Sequence, residues 1–314
     1  MCVGCGRRAP GERFREGRET ARVAGWDAGE LPVKLHKLLH SLPPYNFPGQ
    51  EEQDYDSAGY VVVPVPFDST ACYGGNARNG PLAVMQASRQ LSFYDWESKS
   101  APIEKGIFCT RELEPVRGDA RLTVERVRQA CEEIVDDNKK PVLLGGEHLI
   151  SLGGVQACKP DSVLVLDAHA DAWNELEGSK WSHACVSRRM HEEGACVSVA
   201  GVRSISEEEL DYSKKKGFNV FYANKSTVGD VVKSLKGRVY ISVDVDVLDP
   251  SVMPSTGTPE PGGLSWEQVC SLLEAIGQKR KVVGFDLVEL APIPFLEAPN
   301  YLAAKLLYKM VGWF

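Results

Sequence analysis

The chain has 314 residues, 43% hydrophobic and 25% charged, with a formal net charge of -7, the composition of a soluble globular protein able to bury a large core. The acidic balance argues against a nucleic-acid binder, which needs a broad basic face, and no apolar run approaches the roughly 18 residues of a membrane-spanning helix. No secretory signal is visible, and the nine cysteines are scattered among mostly apolar neighbours, which predicts buried thiols in a reducing cytoplasm.

Residues 1–56 read as a partly irregular N-terminal extension, rich in Arg, Gly and Glu to about residue 30. Cys2 and Cys5 have CxxC spacing but no second half, so they read as a tail feature and not as a zinc knuckle. A short apolar pattern over residues 31–42 predicts a helix that Pro43-Pro44 ends. From Tyr60 the texture changes. Nearly continuous apolar runs at 60–65, 141–144, 162–166, 196–200, 219–222, 239–243 and 282–285 predict strands buried on both faces. Between them, residues 122–135, 206–216, 227–235 and 265–276 have helical periodicity, and residues 297–310 predict a closing helix. Ser265 followed by Gln268 has the form of a capping box. Strand alternating with helix predicts a single three-layer α/β/α domain over 57–314 with a mostly parallel sheet.

In such sheets functional residues gather beyond the carboxyl ends of strands. Three runs end in metal-ligand residue types: Gly145-Gly146-Glu147-His148, Asp167-Ala168-His169-Ala170-Asp171, and Asp244-Val245-Asp246. In extended backbone, side chains at i, i+2 and i+4 share a face, so Asp167, His169 and Asp171 would converge, as would Asp244 and Asp246. With His148 this makes four carboxylates and two imidazoles, too many for one tetrahedral zinc. Two divalent ions bridged by carboxylates fit better, and a donor set of oxygen and imidazole without sulfur leans towards manganese. Glu289, after the run at 282–285, is a candidate anchor for a cation beside them. The Gly/Pro/Thr-rich loop from Asp249 to Gly263 is of the kind that lines sites.

These pieces resemble the ureohydrolases, the arginase and agmatinase family. The matching segments are Gly145 to His148, DAHAD at Asp167 to Asp171, SVDVDVLDP at Ser242 to Pro250 and TGTPEPGG at Thr256 to Gly263, with Pro66-Phe67-Asp68 and Asn79-Gly80-Pro81 similar to the family's first strand and loop. The resemblance covers most of the chain from Tyr60 onward and implies two Mn2+ ions. His148, Asp167, Asp171 and Asp244 would hold one and Asp167, His169, Asp244 and Asp246 the other, with Asp167 and Asp244 bridging. It implies attack on a guanidinium carbon by a hydroxide that the two ions share and that Asp171 holds, with His183 as proton shuttle, Glu289 pairing with the guanidinium and Thr258 nearby. It also implies homo-trimers or homo-hexamers and a place in putrescine and polyamine biosynthesis. Glu147 and Leu149 depart from the Asp and Ser that many members carry beside the ligand histidine, which implies differences only behind the ligands.

The small cationic guanidino substrate is read from two departures. Trp173 stands two places after the DxHxD run, where arginases carry a polar residue, usually Asn, for the substrate carboxylate, and indole cannot replace it. The following loop is acidic, with Glu175 and Glu177, which suits an amine tail. WSHACVSRR at Trp181 to Arg189 is similar to agmatinase-like members. Agmatine is therefore the expected substrate, giving putrescine and urea. Aminopropylagmatine, guanidinobutyrate, arginine and formiminoglutamate remain alternatives within the family. A single-zinc deacetylase and a non-catalytic metal-binding regulator are the alternatives outside it.

Overall fold

A computed structural model describes residues 45–49, 53–223 and 225–314. The apolar runs form eight strands: β1 (Tyr60–Val65), β2 (Ile107–Cys109), β3 (Lys140–Gly145), β4 (Ser162–Leu166), β5 (Cys196–Val202), β6 (Asn219–Tyr222), β7 (Arg238–Asp244) and β8 (Lys281–Val288). All pair in parallel, in the order β2-β1-β3-β8-β7-β4-β5-β6. Successive residues of one strand feed opposite cores. Val61, Val63 and Val65 pack into one, Tyr60 and Val62 into the other. Burial on both faces is the reason these strands read as continuous apolar runs.

Helices α1 (Gly80–Ser88), α6 (Val228–Ser234), α7 (Trp266–Lys279) and α8 (Ala298–Trp313) cover one face. Helices α2 (Ala120–Asp136), α3 (Ser151–Cys158) and α4 (Val186–Glu192) cover the other, where Tyr212 of α5 (Glu207–Lys216) also packs. The α/β/α layering expected from the alternation is therefore what forms. The capping box at Ser265 and Gln268 is present, with equivalents at Ser206/Glu209 and Thr227/Asp230. No described helix is long and apolar enough to cross a membrane.

Three α-helices and one strand escaped the sequence reading. β2 has three residues at the sheet edge, too few for periodicity. α3 is buried along nearly its whole length, so it has no polar face to betray it. Its Gly153 and Gly154 let it lie against α2 and β7: an added Cβ would meet Val124 O at 2.7 Å and the Tyr240 hydroxyl at 2.3 Å. α1 and α4 are short, at 9 and 7 residues. The helix expected at 31–42 and the Cys2/Cys5 pair lie outside the described residues. The packed body begins upstream of residue 57: Phe47 is fully buried, and Gln53 donates to its carbonyl through Nε2 while Gln53 Oε1 accepts from Cys109 N.

α8 is locked by a buried ion pair. Lys309 Nζ lies 2.9 Å from Asp95 Oδ2, and both side chains are 3% exposed. Burial pushes the Asp95 carboxyl upward, but the lysine's hydrogen bonds and charge outweigh it and hold the group below its ordinary range. Removing one partner strands the other charge. Lys309→Met is expected to cost about 3 kcal/mol, read as a lower denaturant midpoint with an unchanged slope. A midpoint equal to that of the parent would show the pair to be dispensable.

Candidate metal centre

Because every strand is parallel, all carboxyl ends lie along one edge of the sheet. The four central strands, β3, β8, β7 and β4, end there; β7 carries Asp244 as its last residue, and the segments that follow the strands carry His148, Glu289, Asp246 and Asp167/His169/Asp171. The six predicted ligands do converge. His148 Nδ1 is 3.1 Å from Asp167 Oδ2, 3.3 Å from Asp171 Oδ2 and 3.4 Å from Asp244 Oδ2. His169 Nδ1 is 3.0 Å from Asp246 Oδ2 and 3.5 Å from Asp167 Oδ1. Asp167 thus turns one oxygen to each imidazole, the disposition of a bridging carboxylate.

The convergence does not come from strand pleat, as the spacing suggested. β4 stops at Leu166, and the backbone then bends: His169 N donates to Asp167 Oδ1 (2.6 Å) and Ala168 N to Asp246 Oδ1 (2.9 Å). Asp171 is reached at φ 48 and Glu289 at φ 66. Left-handed backbone at two non-glycine acids is strain of the kind that collects at functional sites. Asp246 lies in a 3-10 turn, its N–H donating to Asp244 Oδ1 at 2.8 Å. Gly146 is required here for close approach, since a Cβ would stand 2.0 Å from Phe67 O, the carbonyl that receives Glu147 N.

The donor set fits cations. His148 Nδ1 and Asp167 Oδ2 are buried and adjacent, yet neither has a hydrogen-bond partner. On the opposite side of the ring, His148 Nε2 lies 2.9 Å from Ser242 Oγ, which donates to Asp286 Oδ1 at 2.6 Å. A hydroxyl has one proton to give. With that proton on Asp286, Ser242 accepts from Nε2–H, and the Nδ1 lone pair faces three carboxylates. That arrangement is repulsive unless a cation lies between them. Burial, then the charge of Asp167, pushes the Asp171 carboxyl up to about 7. Burial and neighbouring acids also raise Asp244 and Asp246. Burial would raise Asp167 too, but the two imidazoles hold it below its ordinary range. Ser242→Ala removes the acceptor that orients His148, and metal affinity is expected to fall about 10–100-fold. Competition against a chromogenic chelator measures this, and unchanged affinity would rule out the orienting role.

A cavity of about 420 Å3 opens over the cluster, lined among others by Trp173, His183, Glu209, Thr258 and Glu289. Glu289 Oε1 accepts from His148 N at 2.6 Å, and burial first, then the charge of Glu147, raises its pKa. His183 N donates to Thr70 Oγ1 (3.0 Å), and that hydroxyl donates to Glu147 Oε1 (2.6 Å). Burial holds the His183 imidazole down at about 4. Glu175 is not brought in. It is exposed and absent from the lining, because the Leu176–Ser179 bridge turns the loop so that Leu176 faces the cavity instead.

Sequence reading missed Thr70, Glu209, Arg203 and Asp286. Glu209 is buried, accepts from Ala172 N at 2.9 Å and lines the cavity. Its signal was the capping spacing from Ser206. Arg203 ties the loops beneath the site, donating to the carbonyls of Asp246 (2.6 Å) and Glu260 (2.8 Å). Asp286 stood in view as an acid inside an apolar strand, where burial demands a partner.

Residues 58–312 match the model of the arginase family. The chain is 38% identical to the N(1)-aminopropylagmatine ureohydrolase of Thermococcus kodakarensis, over 82% of this chain and 91% of the relative. It is 36% identical to the agmatinase of Pyrococcus horikoshii, over 82% and 93%. Its fold is similar to the crystal structure of the agmatine ureohydrolase of Thermoplasma volcanium, with a TM-score of 0.77 and 32% identity over 83% of this chain and 91% of that one.

Proposed function

This chain belongs to the arginase family and is a ureohydrolase, and from that premise we propose that it releases urea from an amine-tailed guanidine, agmatine in the first place, at a dimanganese centre. The observation that carries the substrate reading is the cavity lining. It contains Asp171, Glu209, Asp244, Asp246 and Glu289 but no Lys or Arg. With Asp171, Asp244 and Asp246 assigned to the ions, a substrate carboxylate would meet Glu209 and Glu289 and find no Lys or Arg side chain to pair with, whereas a guanidinium and an amine each find a carboxylate. Trp173, also in the lining, offers an apolar wall to a methylene chain and no second hydrogen-bonding atom for a carboxylate.

His148, Asp167, Asp171 and Asp244 would hold one ion and Asp167, His169, Asp244 and Asp246 the other. Two such ions supply Lewis acidity and lower the pKa of water to near neutrality. The protein's own groups do the rest. Glu289, anchored through one oxygen on His148 N, turns the other to the guanidinium and sets its plane against the attacking water. Asp171, whose carboxylate also lines the cavity, takes the proton of that water and passes it to the departing nitrogen. His183, neutral at pH 7 because burial lowers its pKa, takes a proton from solvent on its lone pair as it gives one to the product amine, and so ends neutral again.

A second reading is the longer amine N1-aminopropylagmatine, the substrate in the name of the Thermococcus relative. It is favoured by Glu175 and Glu177, exposed on the loop whose Trp173 and Leu176 line the cavity. A longer tail would reach them. Urea release by manganese-loaded protein from agmatine, aminopropylagmatine, arginine and guanidinobutyrate decides. Agmatine or its aminopropyl derivative is expected to exceed arginine by at least about 100-fold in kcat/KM, or about 3 kcal/mol. Cleavage of arginine with both amines inert would overturn the reading.

A further inference from the structure

The proposed mechanism leaves one reactive side chain of the cavity without a task. Among the described cysteines Cys131, Cys158 and Cys185 are buried and Cys109, Cys196 and Cys270 half-buried, fewer fully buried than the apolar neighbours predicted, while Cys72 is exposed. Cys72 lines the cavity, and its Sγ lies 3.4 Å from His183 Nε2. A tetrahedral zinc, with bonds of about 2.3 Å to sulfur and about 2.0–2.1 Å to nitrogen, holds two such donors about 3.5 Å apart. The pair is therefore already at chelating distance. The imidazole is also held in place, because His183 N donates to Thr70 Oγ1 and Thr70 is bound through both its N–H and its hydroxyl to Glu147. Glu177, which is not one of the six residues of the binuclear centre, is the first carboxylate to bear on the thiol.

We propose that Cys72 and His183 form a third cation site, distinct from the binuclear centre, that takes thiophilic divalent ions such as Zn2+ and Cd2+ in preference to Mn2+. The six residues of the binuclear centre offer only oxygen and nitrogen, so a softer ion gains most where sulfur is available. Binding forms one Cys72 sulfur–metal bond and one bond from the His183 Nε2 lone pair. The thiol proton leaves to water, and water or the Glu177 carboxylate completes the shell. Occupation ties up the nitrogen that faces the cavity, so the ion inhibits. Only this inhibitory consequence rests on the ureohydrolase reading, since the binding itself stands on the geometry of the two donors.

The test uses the full manganese-loaded chain carrying Cys2→Ser and Cys5→Ser, because a CxxC pair would bind the probe by itself. Cadmium is titrated while the ultraviolet thiolate-to-cadmium charge-transfer band and urea release from agmatine are followed in parallel. We expect a one-equivalent band that is lost in Cys72→Ser and Cys72→Ala. The inhibition constant, taken against each variant's own cadmium-free rate, should rise about tenfold or more in both, and excess Mn2+ should not relieve inhibition of the parent. A band and inhibition that survive both substitutions, with activity restored by excess Mn2+, would mean displacement from the binuclear centre and would overturn the proposal. If no guanidine releases urea, the functional reading fails while the charge-transfer band still decides the site.

Discussion

Asp167→Asn should remove almost all urea release, with kcat lower by about 10^3-fold or more, and should leave the protein with fewer than two bound ions. Asp167 faces both imidazoles, with Oδ2 3.1 Å from His148 Nδ1 and Oδ1 3.5 Å from His169 Nδ1. Asparagine keeps the shape and an oxygen for His169 N, but it presents an N–H to the lone pair of His148 and carries no charge to share. A hydrolytic ion contributes several kcal/mol of transition-state stabilisation, and about 4 kcal/mol is about 10^3-fold in rate. Steady-state urea release measures the loss, and elemental analysis of the dialysed protein counts the ions. A variant that keeps two ions and works within tenfold of the parent would show that Asp167 does not bridge.

Glu289→Gln is the second large effect, and it separates substrate binding from metal binding. The parent side chain receives His148 N on Oε1 at 2.6 Å, and Oε2 points towards Gly257, another lining residue. Glutamine can keep the first contact. Its amide then offers N–H where a guanidinium also offers N–H, leaving the substrate charge unpaired in a desolvated site. Such a mismatch costs about 3 kcal/mol, so kcat/KM for agmatine is expected to fall about 10^2-fold at unchanged metal content. Loss of the ions together with the activity would place Glu289 in support of His148 instead, and an unaffected kcat/KM would remove it from the site.

Much of the site was legible because its chemistry is concentrated in short runs. DAHAD at 167–171 and SVDVDVLDP at 242–250 each follow a stretch of apolar residues, and acids in that place need a cation to be tolerable. The way those side chains meet was not legible. Alternation along extended backbone predicted that Asp167, His169 and Asp171 would share a face, whereas a bend and a left-handed Asp171 bring them together. Backbone sign at a single residue is set by what the surrounding loops enforce, and periodicity does not encode it. Glu175 shows the converse: the right residue type near the right motif is turned outward by a two-residue bridge.

The chain by itself determined the layer architecture, the parallel sheet, the acids and histidines that gather at the strand ends and the family, since burial on both faces and clustered acids leave their mark in local composition. Only the folded molecule decided the pairing order that sets β3, β8, β7 and β4 side by side. The fold likewise decided the Asp286–Ser242–His148 chain behind the ligands, the Thr70 and Glu147 support of His183, and the meeting of Cys72 with His183. These contacts join residues up to 113 positions apart. Their partners are chosen by where whole strands dock, a property of the packed core that no local window of sequence contains.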